Sequence, residues 1–82
     1  MSFYVYMLKS LNPKKGTYVG YTIDLKKRIT LHNKGKGAKF TRGHQWKIIY
    51  KKKFTSKNKA MSYEYKLKNN RKLRLSILKE AK

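Results

Sequence analysis

Two runs of aromatic and β-branched residues, Phe3-Tyr4-Val5-Tyr6-Met7-Leu8 and Thr17-Tyr18-Val19-Gly20-Tyr21-Thr22, flank the turn signal Asn12-Pro13-Lys14-Lys15-Gly16. That pattern predicts a β-hairpin at the start of the chain. With even parity across a turn centred near Asn12 or Pro13, Tyr6 and Tyr18 project from the same face, directly opposite or one diagonal apart. A later run alternates, with Trp46, Ile48, Tyr50 and Phe54 on one face and Lys47, Ile49, Lys51 and Lys53 mostly on the other. It reads as a half-buried third strand.

The segments between and after these strands carry helical periodicity. Asp24 is a good N-cap for a helix running through Asn33, which places Leu25, Arg28, Ile29 and His32 at i, i+3, i+4 and i+7 on one stripe. Asn33-Lys34-Gly35-Lys36-Gly37 ends it, and a basic loop without apolar period follows to Gly43; the loop does not match the phosphate-loop pattern. Ser56 can cap a second helix to about Asn69, with Ala60, Met61, Glu64 and Leu67 on one stripe, and Leu73 to Leu78 suggests a short third helix. The predicted order is ββαβαα, without repeats or linkers.

Charge and size then limit what such a unit does. Its 82 residues leave room for one compact domain, residues 1–82, since a chain this small buries only about 60% of its extended surface. It has no cysteine, so stability must come from apolar burial. Twenty-three Lys and Arg against three acids give a net charge of +20. A folded domain keeps that self-repulsion only where a polyanionic partner uses it. Nucleic acid is the first candidate, an anionic membrane surface the second and a ribosome the third. The apolar run Phe3 to Leu8 is too short for a signal core or a membrane span, so the expected location is the cytoplasm, with nucleoid association as one form of it. At 39% hydrophobic and 13% aromatic the chain is too apolar for a disordered basic tail.

The acids narrow the chemistry further. Asp24, Glu64 and Glu80 cannot supply the several carboxylates of a two-metal phosphoryl-transfer site. His32 and His44 lack zinc-helix spacing and no cysteine completes a zinc set. Asp24 is committed to a cap and Glu80 to the chain end, which removes a paired-carboxylate glycosidase. Glu64 remains, on an apolar stripe where a carboxylate is costly unless paired or metal-bound. It is read either as the partner of a lysine or as the ligand of one Mg²⁺ or Mn²⁺ ion that keeps its waters. Arg28, one of four arginines, suits bidentate phosphate binding, and His32 lies one turn later. Their structural alternatives are an arginine stacked on a tyrosine and a core histidine bonded to a backbone carbonyl. A tyrosine acts as general base only if its pKa falls from about 10, and cationic neighbours or a metal-bound water are the available lowering agents. Lys27, Lys34, Lys36, Lys39 and Arg42, with the triplet Lys51-Lys52-Lys53, are expected to contact backbone phosphate, which positions without specifying sequence.

Taken in order, Tyr4-Val5-Tyr6, Tyr18-Val19-Gly20, Lys27-Arg28 with His32-Asn33, Gly37 to Gly43, and Glu64-Tyr65-Lys66-Leu67-Lys68 resemble the GIY-YIG nuclease superfamily over about residues 3 to 78. The likeness is greatest to its small stand-alone bacterial YhbQ-like members. Tyr4 stands where the family prefers glycine, a change a strand tolerates if the facing surface has room, and the late asparagine of excision-repair relatives has no counterpart. The resemblance implies an α+β domain with a three-stranded antiparallel sheet flanked by helices. It also implies one-metal phosphodiester hydrolysis, with Tyr6 or Tyr18 helping to deprotonate water, Arg28 stabilising phosphorane charge, His32 assisting proton transfer or orienting a tyrosine, and Glu64 holding the metal. The target-recognition and zinc-binding partner domains of larger relatives are not expected, so specificity is expected from DNA shape or a separate protein. Two functions follow: an endonuclease on nicked, branched or damaged DNA, or a catalytically silent nucleic-acid or ribosome-binding module on the same fold.

Overall fold

A computed structural model of the chain describes residues 2–11, 16–37 and 43–80. The elements are β1 (Phe3–Ser10), β2 (Thr17–Thr22), α1 (Leu25–Asn33), β3 (Trp46–Phe54), α2 (Lys57–Asn69) and α3 (Arg71–Glu80), the expected ββαβαα order. The sheet is antiparallel with strand order β2-β1-β3. Because β1 is paired on both edges and covered on both faces, Val5, Tyr6, Met7 and Leu8 are buried without a break. That continuous apolar run is the pattern a central strand requires.

The two faces carry separate cores. Val5, Met7 and Val19 meet Ala60 and Leu67 of α2 and Ile77 of α3 on one face. Tyr6, Leu8 and Trp46 meet Leu25 and Ile29 of α1 on the other. In β1 and β2, Tyr6 is opposite Gly20 and Leu8 opposite Tyr18, so the two tyrosines are diagonal neighbours on the α1 face. The pairing of β1 with β3 does not follow the simple alternation expected of the third strand. Met7 pairs with Tyr50 but Leu8 with Ile48, an irregularity that leaves Ile49 as an extra residue. Such a bulge moves every later side chain to the opposite face. Trp46 and Ile48 therefore pack with Tyr6 and Leu8, whereas Tyr50 and Phe54 pack with Val5 and Met7. Lys51 and Lys53, opposite Tyr6 and Tyr4, come to the α1 face, and Lys52 comes to the α2 face.

The helix ends follow their local chemistry. Asp24 Oδ1 accepts the Lys27 N–H at 3.0 Å and starts α1. Its end is a Schellman turn: Gly35, at φ 78°, donates to His32 O and the Lys36 N–H donates to Leu31 O at 2.8 Å. Ser56 caps α2. The inner face of α2 is Ala60, Tyr63 and Leu67, while Met61 is 44% exposed. Met61 was expected on the buried stripe; one residue past Ala60, it is turned about 100° from it and leaves the core. The third helix spans more than Leu73 to Leu78, because Asn70 Oδ1 accepts the Leu73 N–H at 3.0 Å and caps a polar first turn that has no apolar signal. Arg74 Nη1 donates to the carbonyls of Leu67 and Lys68, satisfying the C-terminal end of α2. No helix among the described residues is long and apolar enough to cross a membrane.

Candidate active site

The four predicted residues Tyr6, Tyr18, Arg28 and His32 come together on the α1 face of the sheet. Leu25 and Ile29 anchor α1 against the Tyr6–Leu8–Trp46 core, which turns Arg28 and His32, one helical turn apart, toward β1. The Tyr6 hydroxyl lies 2.8 Å from His32 Nε2, and Arg28 Nε donates to it at 3.4 Å. The Tyr18 ring is centred 6.5 Å from Tyr6 and 5.1 Å from His32. Tyr6 is 1% exposed and His32 fully buried, whereas Tyr18 and Arg28 are half-buried.

Two glycines and an asparagine, which sequence reasoning placed only in motifs and at the end of α1, make this packing possible. A Cβ on Gly20 would fall 2.6 Å from the Tyr6 hydroxyl oxygen and 3.2 Å from Tyr18 Cε2, so the Tyr6 phenol occupies the space a side chain would fill. A Cβ on Gly37 would fall 2.4 Å from His32 Nδ1. The signal for Gly20 was its position inside a strand, where glycine marks close approach. Asn33 braces the end of α1 on β3: its Oδ1 accepts the Trp46 N–H at 2.6 Å and its Nδ2 donates to Trp46 O at 3.2 Å.

The electrostatics differ from expectation at Tyr6. Burial pushes its phenol up from 10.0 to about 12; the bond and charge of Arg28 oppose that rise, and the charges of Tyr18 and Glu64 add to it. A lowered tyrosine pKa was expected from cationic neighbours, but loss of solvent outweighs the arginine. Burial, then the Arg28 charge, holds His32 below its ordinary 6.5. His32 is therefore neutral at pH 7, and its Nε2 accepts the phenol proton when Nδ1 carries the ring hydrogen. Bonding to Tyr6 raises the Arg28 pKa and keeps it a full cation. In that histidine tautomer the phenol oxygen receives an N–H from Arg28 while its own proton is offered to His32.

Glu64 is carried by α2, which covers the other face of the sheet, and it reaches the cluster as a charge acting on Tyr6. Its carboxylate is 19% exposed and lies 3.7 Å from Lys68 Nζ, a loose i,i+4 pair. The lysine-partner reading is thus realised in this state, yet the pair is solvent-accessible and longer than a hydrogen bond. No group of three or more His, Cys, Asp and Glu gathers among the described residues. The donor set is one accessible carboxylate oxygen pair, which fits a single Mg²⁺ or Mn²⁺ that keeps most of its water and does not fit a dehydrated protein cage.

Lys27 and Arg28 line a recess of about 300 Å³ with Thr22, Ile23, Asp24 and Leu31. Lys34 caps the end of α1 and Lys36 closes the Schellman turn, both exposed. Lys39 and Arg42 lie outside the described residues.

A family model of the GIY-YIG catalytic domain matches residues 2–76. The chain belongs to the GIY-YIG family. Its relatives include the UPF0213 protein CPE1444 of Clostridium perfringens, 45% identical over 83 residues that span 96% of this chain and 87% of that protein. The UPF0213 protein OB0043 of Oceanobacillus iheyensis is 44% identical over 66 residues, 79% of this chain and 74% of that one. Among solved structures, the solution NMR structure of the UPF0213 protein BH0048 from Bacillus halodurans is 37% identical, superposes with a TM-score of 0.58, and covers 96% of this chain and 84% of that one. The GIY-YIG family is a nuclease superfamily, so the polyanion that balances the +20 charge is in the first place nucleic acid.

Proposed function

We propose that the chain is a divalent-metal-dependent endonuclease that hydrolyses phosphodiester bonds in nicked, branched or damaged DNA. The observation that carries this reading is the Tyr6 hydroxyl held between His32 Nε2 at 2.8 Å and Arg28 Nε at 3.4 Å, in a GIY-YIG domain. A phenol kept protonated to about pH 12 is no standing base. It works as a relay: its oxygen takes a proton from water as its own proton passes to the neutral His32 Nε2, so no free phenolate is required. Tyr18, which solvent reaches more readily than Tyr6, walls the place where that water enters.

Arg28 has its Nε engaged by Tyr6 and faces the recess it shares with Lys27. Its remaining donors suit two oxygens of a phosphate, and a permanent cation there stabilises charge that builds on the phosphorane. Glu64 would hold the Mg²⁺ or Mn²⁺ ion, exchanging Lys68 for it. The ion supplies Lewis-acid polarisation of the phosphate and charge for the leaving oxygen. Lys51 and Lys53, brought to the α1 face by the bulge, with Lys34 and Lys36 at the end of α1, extend the phosphate-binding surface.

The test is cleavage of labelled duplex, nicked, flap and four-way-junction DNA by the full chain with Mg²⁺ or Mn²⁺, beside Arg28→Ala and Glu64→Ala. Cutting by the wild type alone is the expected result. Salt-sensitive binding by all three proteins, with no cutting and no metal effect, would sink the enzyme reading. It would support a silent nucleic-acid or ribosome-binding module, in which the Glu64–Lys68 pair is permanent.

A further inference from the structure

On the α2 side of the sheet, away from the Tyr6 cluster, Phe54 and Tyr63 wall a recess of about 430 Å³. Their rings are 5.4 Å apart and tilted by 42°. Both walls are held in place. Phe54 ends β3, while Tyr63 lies on the inner flank of α2 and shares a 2.7 Å hydrogen bond with the Tyr50 hydroxyl. Lys52 Nζ sits 4.9 Å above the Tyr63 ring and 5.7 Å from that of Phe54, the cation–π arrangement of an electron-rich surface. Asn58 and Ser62 supply an amide and a hydroxyl at the rim, and Lys59 and Lys66 supply two further ammonium groups. Among the described residues, no acid lines this recess. Glu64 and its partner Lys68 occupy the opposite flank of α2, as helical spacing places them.

A surface that only tracks duplex phosphates needs lysines and no aromatic walls. A ligand that uses every part of this recess combines a flat π system, hydrogen-bonding edges and negative charge. Those are the properties of an unstacked nucleotide within a single strand, whose base packs on aromatic rings while its phosphates meet lysines. We propose that the Phe54–Tyr63 recess is a second nucleic-acid site that takes one unpaired nucleotide, its base against Tyr63 and Phe54 and its phosphates at Lys59 and Lys66. The site lies across the sheet from Tyr6, Arg28 and His32, so a single strand and the phosphate at the α1 face can be held together. It requires nothing of the catalytic reading.

The experiment is an NMR titration of the ¹⁵N-labelled full chain with an eight-residue oligothymidylate and, separately, with an abasic strand of equal length and charge. Both are repeated in Glu64→Ala without added metal, where cleavage is absent. The oligothymidylate is expected to shift the amides of Phe54, Asn58, Ser62 and Lys66 and to bind about 5- to 100-fold tighter than the abasic strand, the range of one base stacked on an aromatic wall. Phe54→Leu is expected to bring that ratio close to one. The exposed double change Lys59→Glu with Lys66→Glu, which leaves the core untouched, is expected to weaken both strands together. Equal affinity for the two strands, or base-dependent shifts confined to the Tyr18, Arg28 and His32 face, would overturn the proposal. Since none of these readouts measures cleavage, its failure is separate from a failure to cleave.

Discussion

Replacing Gly20 with alanine tests the architecture of the site with one methyl group. The added Cβ would stand 2.6 Å from the Tyr6 hydroxyl oxygen and 2.8 Å from Cζ. Ordinary contact needs about 3.5 Å or more, so the phenol and the methyl must part by roughly 1 Å. Tyr6 is 1% exposed on the central strand, in a core with Leu8 and Trp46 that Leu25 and Ile29 of α1 cover. Part of the change is therefore taken by backbone, at about 1–3 kcal/mol for an overpacked core, or a Tm lower by roughly 5–15 °C in a domain of this size. The rest is taken by the phenol. Its 2.8 Å bond to His32 then lengthens beyond hydrogen-bonding range, and a misplacement of about 1 Å costs on the order of 100-fold in rate. Thermal unfolding, single-turnover cleavage and the ¹⁵N shifts of the His32 ring measure the three effects. A Gly20→Ala protein with wild-type Tm and an unchanged His32 Nε2 resonance would refute the claim that the phenol rests on this glycine.

Tyr6 also sets an alkaline limit on stability. Its pKa is about 12 in the folded chain against 10.0 as the ordinary value, so the folded state holds a proton the unfolded state loses. Its contribution, about 2–3 kcal/mol by linkage, is complete below pH 10 and vanishes as pH rises through 12; chemical denaturation of wild type and Tyr6→Phe over pH 8–11 should show the gap between them closing. His32, held below 6.5, acts in the opposite sense: the folded state resists protonation, so stability falls as pH drops below about 6.5, and cleavage falls with it once the imidazole charges. Unfolding and rate profiles from pH 4.5 to 7.5 that lack this limb would contradict the neutral-acceptor role. Asn33→Ala removes both bonds to the Trp46 backbone and is expected to cost about 1–3 kcal/mol by urea titration, with residual activity in proportion to folded protein. Glu64→Gln should abolish metal-dependent cutting while changing stability by no more than about 0.5 kcal/mol, because the pair it breaks is a solvent-accessible i,i+4 bridge.

Element order and the Arg28–His32 stripe were legible because both rest on periodicity. Leu25 and Ile29 mark the inner face of α1 in the sequence, and whatever lies between them in phase must face β1. The same reasoning overreached on β3, where a bulge at Ile49 leaves no mark in composition, since Ile48-Ile49-Tyr50 fits either register. It also placed Met61 inside, because a stripe drawn from four residues is wider than the contact α2 makes. The Tyr6 pKa was misjudged for a different reason. Neighbouring cations are countable in a sequence, but burial to 1% is a property of the assembled sheet, and it is the larger influence. A glycine inside a strand signals close approach without saying what approaches, so the contact of Gly20 with Tyr6, like that of Gly37 beyond α1 with His32, is identified only in the fold.

The bulge in β3 also decides how so basic a chain folds at all. With unbroken alternation from Trp46, Lys51 and Lys53 would point inward at Ala60 and Leu67, and Tyr50 and Phe54 would be stranded among the phosphate-binding lysines. One extra residue shifts the strand by half a period. The first half then serves as a wall of the α1 core and the second as a row of outward cations, so the position of a single isoleucine sets which side of the sheet carries the electric field. Deleting Ile49 would leave that polarity in place, since Leu8 already pairs with Ile48 and Met7 with Tyr50; a slip that drew Ile49 into regular pairing would reverse it and turn Lys51 and Lys53 into buried ammonium groups.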